Sequence, residues 1–213
     1  SNTSVATVSS SGVVTGKAAG TATLTVKVKD NSTSTTYTKT ATITVAEFEG
    51  YKLATTVEVG SKYIIIDSAD ISGTTGYAVG NSVVANSHYL NGVAVTVNSD
   101  STLTLPSSVS ANAITWIAGG SASAGYTWQN VANGKYMGLD SSEYVYPSDT
   151  AVNWLYDSNK YFNNQIDSEG YYYLSCDNSN SYRYTTSKNG SAINLYKLYT
   201  SEVTPTAAPT VAP

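Results

Sequence analysis

The sequence predicts an all-β protein in two parts. Apolar and polar residues alternate with period two over residues 1–46, and three short segments between residues 113 and 196 repeat one pattern. Composition agrees with both observations. Thr, Ser, Asn, Gly and Tyr fill the places that Lys and Glu take in most cytosolic proteins, so charged residues are only 12% of the chain while tyrosine occurs 18 times. Such residues suit a pleated surface that is buried on one side and wet on the other.

In the first part, Ala22, Leu24, Val26 and Val28 share one face of a predicted strand, and Thr21, Thr23, Thr25 and Lys27 share the other. From Thr36 to Val45 every even position is Thr, while the odd positions are Tyr37, Lys39, Ala41, Ile43 and Val45. This pattern is sandwich-like. The run Ser1-Asn2-Thr3-Ser4-Val5-Ala6-Thr7-Val8, followed by Ser11-Gly12-Val13-Val14-Thr15-Gly16-Lys17-Ala18-Ala19-Gly20-Thr21-Ala22-Thr23-Leu24, resembles the central signature of the group 2 bacterial immunoglobulin-like domain. Gly12, Gly16 and Gly20 mark turns between its short β runs. The resemblance implies a partial immunoglobulin-like β-sandwich over residues 1–46. Further strands precede this signature in the family, so unpaired strand edges are expected here. It also implies a spacer or adhesive module of a bacterial surface rather than an enzyme.

Glu47 to Gly50 reads as a hinge, and the second domain is expected over residues 51–199. It opens on Tyr51-Lys52-Leu53 and closes on Leu195-Tyr196-Lys197-Leu198, two strands of like composition whose ends are expected side by side in a closed barrel. Residues 202–213, with Pro205, Pro209 and Pro213 between Thr, Ala and Val, read as an extended linker. Such a linker implies further modules of the same polypeptide.

The repeat is Ala113-Ile114-Thr115-Trp116-Ile117, Ala151-Val152-Asn153-Trp154-Leu155 and Ala192-Ile193-Asn194-Leu195-Tyr196, with starts 38 and 41 residues apart. Self-similarity at a fixed period points to repeated supersecondary units. First strands are predicted at Lys62–Ile66, Tyr126–Val131 and Lys160–Ile166, and second strands at Gly76–Val79, Lys135–Leu139 and Tyr171–Leu174. Third strands are predicted at Leu103–Leu105, Tyr144–Tyr146 and Tyr182–Tyr184, with His88 to Asn98 as an insertion in the first unit. Three units of four strands match a β-trefoil-like domain; a β-sandwich carbohydrate module is the alternative.

The repeat assigns Trp116 and Trp154, which align with Leu195, to the core. Tyr144 and Tyr182 align with Leu103, and Tyr146 and Tyr184 with Leu105, so that face is also expected to point inward. Function is then sought in the loops. In the ricin-like lectins, which the second domain resembles in its threefold plan while lacking their Gln-x-Trp signature, sugar pockets form beside the loop between the second and third strands. The corresponding loops here are Asp140-Ser141-Ser142-Glu143, leading to Tyr144 and Tyr146, and Cys176-Asp177-Asn178-Ser179-Asn180-Ser181, leading to Tyr182 and Arg183. Candidate ligand-binding residues are therefore Asp177, Asn178, Tyr182, Arg183, Asp140, Tyr144 and Tyr146, with His88 and Tyr89 of the insertion as a further place to look. Acids, amides and an Arg hold vicinal hydroxyls, and tyrosine rings cover the C–H faces of a sugar.

Several function classes are disfavoured. A net charge of −4 with a single Arg provides no basic stripe for nucleic acid. No apolar run approaches the roughly 18 residues that a spanning helix needs, so membrane insertion is not expected. The lone Cys176 excludes an intrachain disulfide. His88 stands alone without a nucleophile elbow, and the carboxylates lie on turns rather than in apolar runs, so catalysis is not expected. Asp177-Asn178-Ser179-Asn180 lacks the spacing of a calcium loop, and no metal or cofactor is expected. The chain is similar to pieces of modular surface proteins of Gram-positive gut bacteria. That resemblance implies a secreted or cell-surface protein whose second domain binds a polysaccharide or oligosaccharide such as starch without acting on it. The alternative is an adhesin or structural spacer that meets a protein partner.

Overall fold

The computed structural model describes residues 2–46, 48–85, 87–140, 144–167, 170–178 and 182–200, with the side chains of all of these except 165–167, 170 and 171. The described chain is all-β, and its strands fall in two compact units, one built on residues before 50 and one spanning Gly50–Tyr199. The expected linker, residues 202–213, lies outside the described residues.

The first unit contains two ribbons. Strands β1 (Ala6–Val8) and β2 (Val14–Gly16) pair antiparallel, as do β3 (Gly20–Lys29) and β4 (Thr36–Val45), in register from Gly20↔Val45 to Lys29↔Thr36. The period-two pattern sets this register, because a slip of one residue would exchange the Thr face for the apolar one. Burial is confined to one end, where Val5, Ala6 and Ala22 pack with Ile43 and Val45.

The second unit is a single curled, half-barrel sheet of fourteen strands. They are β5 (Gly50–Leu53), β6 (Lys62–Asp67), β7 (Thr75–Val83), β8 (Leu90–Val97), β9 (Leu103–Thr104), β10 (Trp116–Ser121), β11 (Gly125–Asn130), β12 (Tyr136–Leu139), β13 (Val145–Ser148), β14 (Leu155–Tyr156), β15 (Phe162–Asp167), β16 (Gly170–Asp177), β17 (Arg183–Ser187) and β18 (Ile193–Tyr199). The run from Tyr63 to Ile66 does not alternate because β6 is covered on both faces: Tyr63 and Ile65 enter one core cluster, Ile64 and Ile66 another. β6 pairs with β18 on one side and β10 on the other, and β10 continues antiparallel into β11. From β11 the path passes through a Tyr126↔Trp154 bridge to the start of β14, then to β15. The Ile193 amide donates to the Lys160 carbonyl at 2.8 Å, which ties the approach to β15 back to β18. β7–β8, β12–β13 and β16–β17 form three antiparallel pairs, and β17 joins β8 through Tyr184↔Leu90 and Arg183↔Asn91.

Trp116, Trp154 and Leu195 are all buried in the larger cluster, in line with their common place in the repeat. The equivalence extends to a hydrogen bond: Trp116 Nε1 donates to the Val79 carbonyl at 2.9 Å and Trp154 Nε1 to the Met137 carbonyl at 3.0 Å. Two sequence expectations are corrected. The third strand of the first repeat is β8, not Leu103–Leu105; β8 lies in the stretch read as an insertion, and the short β9 merely extends it through Thr96↔Thr104. The expected alignment of Tyr146 with Tyr184 is also off by one residue. Leu90, Val145 and Tyr184 are the three fully buried counterparts, so Val145 points inward while Tyr144 and Tyr146 on either side of it are only half-buried.

Candidate functional site

Asp67 closes β6 and holds the turn after it to a distant strand. Its Oδ1 accepts from the Ala69 amide at 3.0 Å and caps a single 3-10 turn, Ser68–Asp70. Its Oδ2 accepts from the Cys176 amide at 2.9 Å and from Ser191 Oγ at 2.7 Å, which ties the turn to the third repeat. Tyr184, wholly buried on β17, accepts from the Asp67 amide at 3.1 Å and donates to the Tyr77 carbonyl at 2.5 Å. These bonds fix Asp70 and Tyr77 on one side and the β16–β17 hairpin on the other.

Between them lies an open cavity of about 340 Å³, lined by Asp70, Ser72, Thr75, Tyr77, Asn178 and Tyr182 together with Ala69. Asn178 Nδ2 donates to Asp70 Oδ1 at 2.9 Å. The rings of Tyr77 and Tyr182 are stacked, 3.4 Å between centroids and 8° between planes. Tyr182 holds this position in a left-handed backbone conformation, φ 48°, and its carbonyl accepts from the Gly92 amide. Gly92 is required there, since a Cβ would fall on the Tyr182 carbonyl oxygen. Burial, followed by the charge of Asp67, raises the Asp70 carboxyl above its ordinary value. A hydrogen bond that the Tyr77 hydroxyl donates to Tyr182 is the largest cause of a rise at Tyr77. Burial, with Asp70 next, pushes the Cys176 thiol far upward, so it is a poor nucleophile at neutral pH.

Arg183, the next residue after Tyr182, belongs to a second cluster. It is the cross-strand partner of Asp177, and its Nε and Nη2 lie 3.0 and 2.9 Å from Asp177 Oδ2. The guanidinium carbon sits 4.3 Å from the centroid of the Tyr89 ring. Tyr89 meets Tyr144 edge-on at 4.8 Å, and Tyr144 stacks on His88 at 5.9 Å. Three places that the sequence keeps apart, the segment around His88, the second-repeat loop and the third-repeat loop, are thus one cluster. The Tyr144↔Thr185 bridge and the β8–β17 pairing bring them together.

The candidates therefore divide. Asn178 and Tyr182 line the cavity, while Asp177, Arg183 and Tyr144 join the aromatic cluster. Asp140 accepts from the Tyr144 amide at 3.0 Å and closes its own loop, and Tyr146 lies opposite Gly138, with its ring against it. Residues 141–143 and 179–181 of the candidate loops lie outside the described residues. Asp67, Asp70 and Tyr77 escape a search confined to loops between second and third strands. A signal for them exists: Asp67-Ser68-Ala69-Asp70 has its counterpart in Asn130-Val131-Ala132-Asn133, where Asn130 Oδ1 likewise accepts from the Ala132 amide at 2.9 Å.

Two other cavities, of about 370 and 510 Å³, share Tyr156 and Asp157. The two residues that they share serve the fold. Asp157 Oδ1 accepts from the Asn159 and Tyr161 amides, and the Tyr156 hydroxyl donates to the Ile193 carbonyl. Among the described residues, no group of three or more His, Cys, Asp or Glu side chains is placed to hold a metal ion. The cavity of about 370 Å³ also has a carboxylate, an amide and two tyrosines, and the Asp70 cavity adds to that set the hydroxyls of Ser72 and Thr75, an inventory suited to a ligand with several hydroxyls. No protein-family model, curated protein or solved structure matches this chain, so the reading of the site rests on that geometry.

Proposed function

We propose that residues 50–199 form a β-trefoil-like, non-catalytic carbohydrate-binding module, carried with a partial immunoglobulin-like spacer by a secreted or cell-surface bacterial protein. The pairing pattern supports the trefoil reading. Its repeats are β6, β7, β8 and β10; β11 to β14; and β15 to β18, with β5 and β9 outside them. In each repeat the two outer strands belong to the path that runs β18, β6, β10, β11, β14 and β15, and the two inner strands form an antiparallel pair.

The observation that carries the binding reading is the Asp70–Asn178 hydrogen bond beside the stacked Tyr77 and Tyr182 in one open cavity. Asp70 and Asn178 together offer acceptors and a donor for vicinal hydroxyls, and the tyrosine pair offers an amphipathic wall for a pyranose ring. Binding at so shallow a site is weak, and linked modules supply the avidity. Affinity gels containing starch, xylan or mucin test the proposal, with starch the first ligand to try. Retardation by one of them is expected, lost in Tyr182→Ala and Asn178→Ala and only reduced in Arg183→Ala, whose guanidinium is held by Asp177. Unchanged retardation in Tyr182→Ala and Asn178→Ala removes the cavity from consideration, and retardation by no polysaccharide removes the carbohydrate reading.

A further inference from the structure

We propose that the cavity lined by Asp70, Tyr77, Asn178 and Tyr182 selects sugars that carry a protonated amine, of the glucosamine type, over neutral or acidic sugars of the same shape. The inference rests on the carbohydrate reading of this cavity and adds to it the charge of the ligand.

The charge around the cavity is one-sided. Its lining holds one ionisable acid, Asp70, and no Lys, Arg or His. Arg183, the only Arg of the chain, follows Tyr182 directly but commits its Nε and Nη2 to Asp177. Behind Asp70, the buried Asp67 is held by neutral donors, the Ala69 and Cys176 amides and the Ser191 hydroxyl. After burial, the charge of Asp67 is the largest cause of the rise at Asp70, and that of Asp177 acts in the same direction, so the field at the cavity is negative.

The polar surface matches that field. Asp70 accepts from Asn178 through Oδ1 and also from the Cys176 thiol, and a carboxylate with two oxygens has acceptor capacity beyond those two bonds. Tyrosine rings present a negative π face, which attracts an ammonium group when it is partly desolvated. A neutral hydroxyl satisfies the hydrogen bond but leaves the charge of Asp70 unanswered. A uronic acid sets like charge against like. An ammonium on a hexose donates to Asp70 in a charge-assisted bond and lies beside the tyrosine pair.

Calorimetric titration of the full chain tests this at about pH 6 and about 150 mM salt, where long-range attraction is screened. The titrants are a glucosamine oligosaccharide, its N-acetylated counterpart and an oligogalacturonate. The glucosamine oligomer is expected to bind about tenfold tighter than the N-acetylated one, with the oligogalacturonate weakest. Asp70→Asn, whose amide oxygen still accepts from Asn178, is expected to bring the first two close to equal. Asp149→Asn removes the same charge from an exposed pair with Lys135 and is expected to leave the preference intact. Equal affinity of the unaltered chain for the two hexosamine oligomers overturns the inference, as do equal effects of the two substitutions; both leave sugar binding standing. Failure of all three oligosaccharides to bind, with the gels also blank, overturns the carbohydrate reading itself.

Discussion

At Trp128 the indole N–H is buried with no hydrogen-bond partner among the described residues, whereas the indoles of Trp116 and Trp154 donate to the carbonyls of Val79 and Met137. The three rings occupy one core, so their substitutions separate packing from hydrogen bonding. Each Trp→Phe change removes similar apolar contact, but those at 116 and 154 also withdraw a donor from a buried carbonyl. Trp116→Phe and Trp154→Phe are expected to cost about 1–2 kcal/mol more than Trp128→Phe, read as a shift in urea midpoint at constant slope. Equal costs at all three positions would show that the hydrogen bonds contribute nothing to stability. The repeat makes the core role of Trp116 and Trp154 legible in the sequence, because Leu195 takes the equivalent place. Asp67 and Tyr184 are not legible in the same way. Their long-range bonds join residues 107 or more positions apart, and local spacing carries no trace of such a pairing.

Strands are legible where apolar and polar residues alternate along the chain, as in β3 and β4, or where both faces are buried and the apolar run is continuous, as in β6. β8 is not. In its first half Asn91, Gly92 and Val93 are all half-buried and carry neither alternation nor a continuous apolar run, so only Val93, Val95 and Val97 toward its end mark a buried face. With β8 hidden, the cluster of Tyr89, Tyr144 and Arg183 is hidden too, since β8 is the element that brings Tyr89 to the third repeat. Legible strands do not guarantee a stable unit. β3 and β4 pair along their whole length, yet Val26, Val28 and Tyr37 are 51%, 59% and 60% exposed, and an isolated two-stranded ribbon is marginal in water. Residues 1–46 made alone are expected to show no cooperative thermal transition by circular dichroism, and residues 50–199 a single one. A sharp transition in the shorter piece would mean that its ribbons find a core of their own.

For the whole molecule, tyrosine burial sets the response to alkali. Desolvation raises the hydroxyls of Tyr51, Tyr63, Tyr156, Tyr184 and Tyr196, that of Tyr156 to about 12. A group raised in the folded state lends stability that is complete below its unfolded value and is lost as pH climbs through the folded one. Unfolding free energy is therefore expected to fall from about pH 10 to about pH 12, where the unfolded chain releases phenolic protons first. Urea titrations across this window should show a shallower decline in Tyr156→Phe; an unchanged decline would remove Tyr156 from the effect. The pairing of the unit's first and last strands governs a different kind of stress. β5 and β18 are antiparallel, with Gly50 directly opposite Tyr199, so a tension applied through the flanking chain parts that ladder from one end. Its bonds lie across the strands and carry the load one at a time rather than together. Under steady pulling the unit yields by peeling like a zip, beginning at the Gly50–Tyr199 end of that ladder.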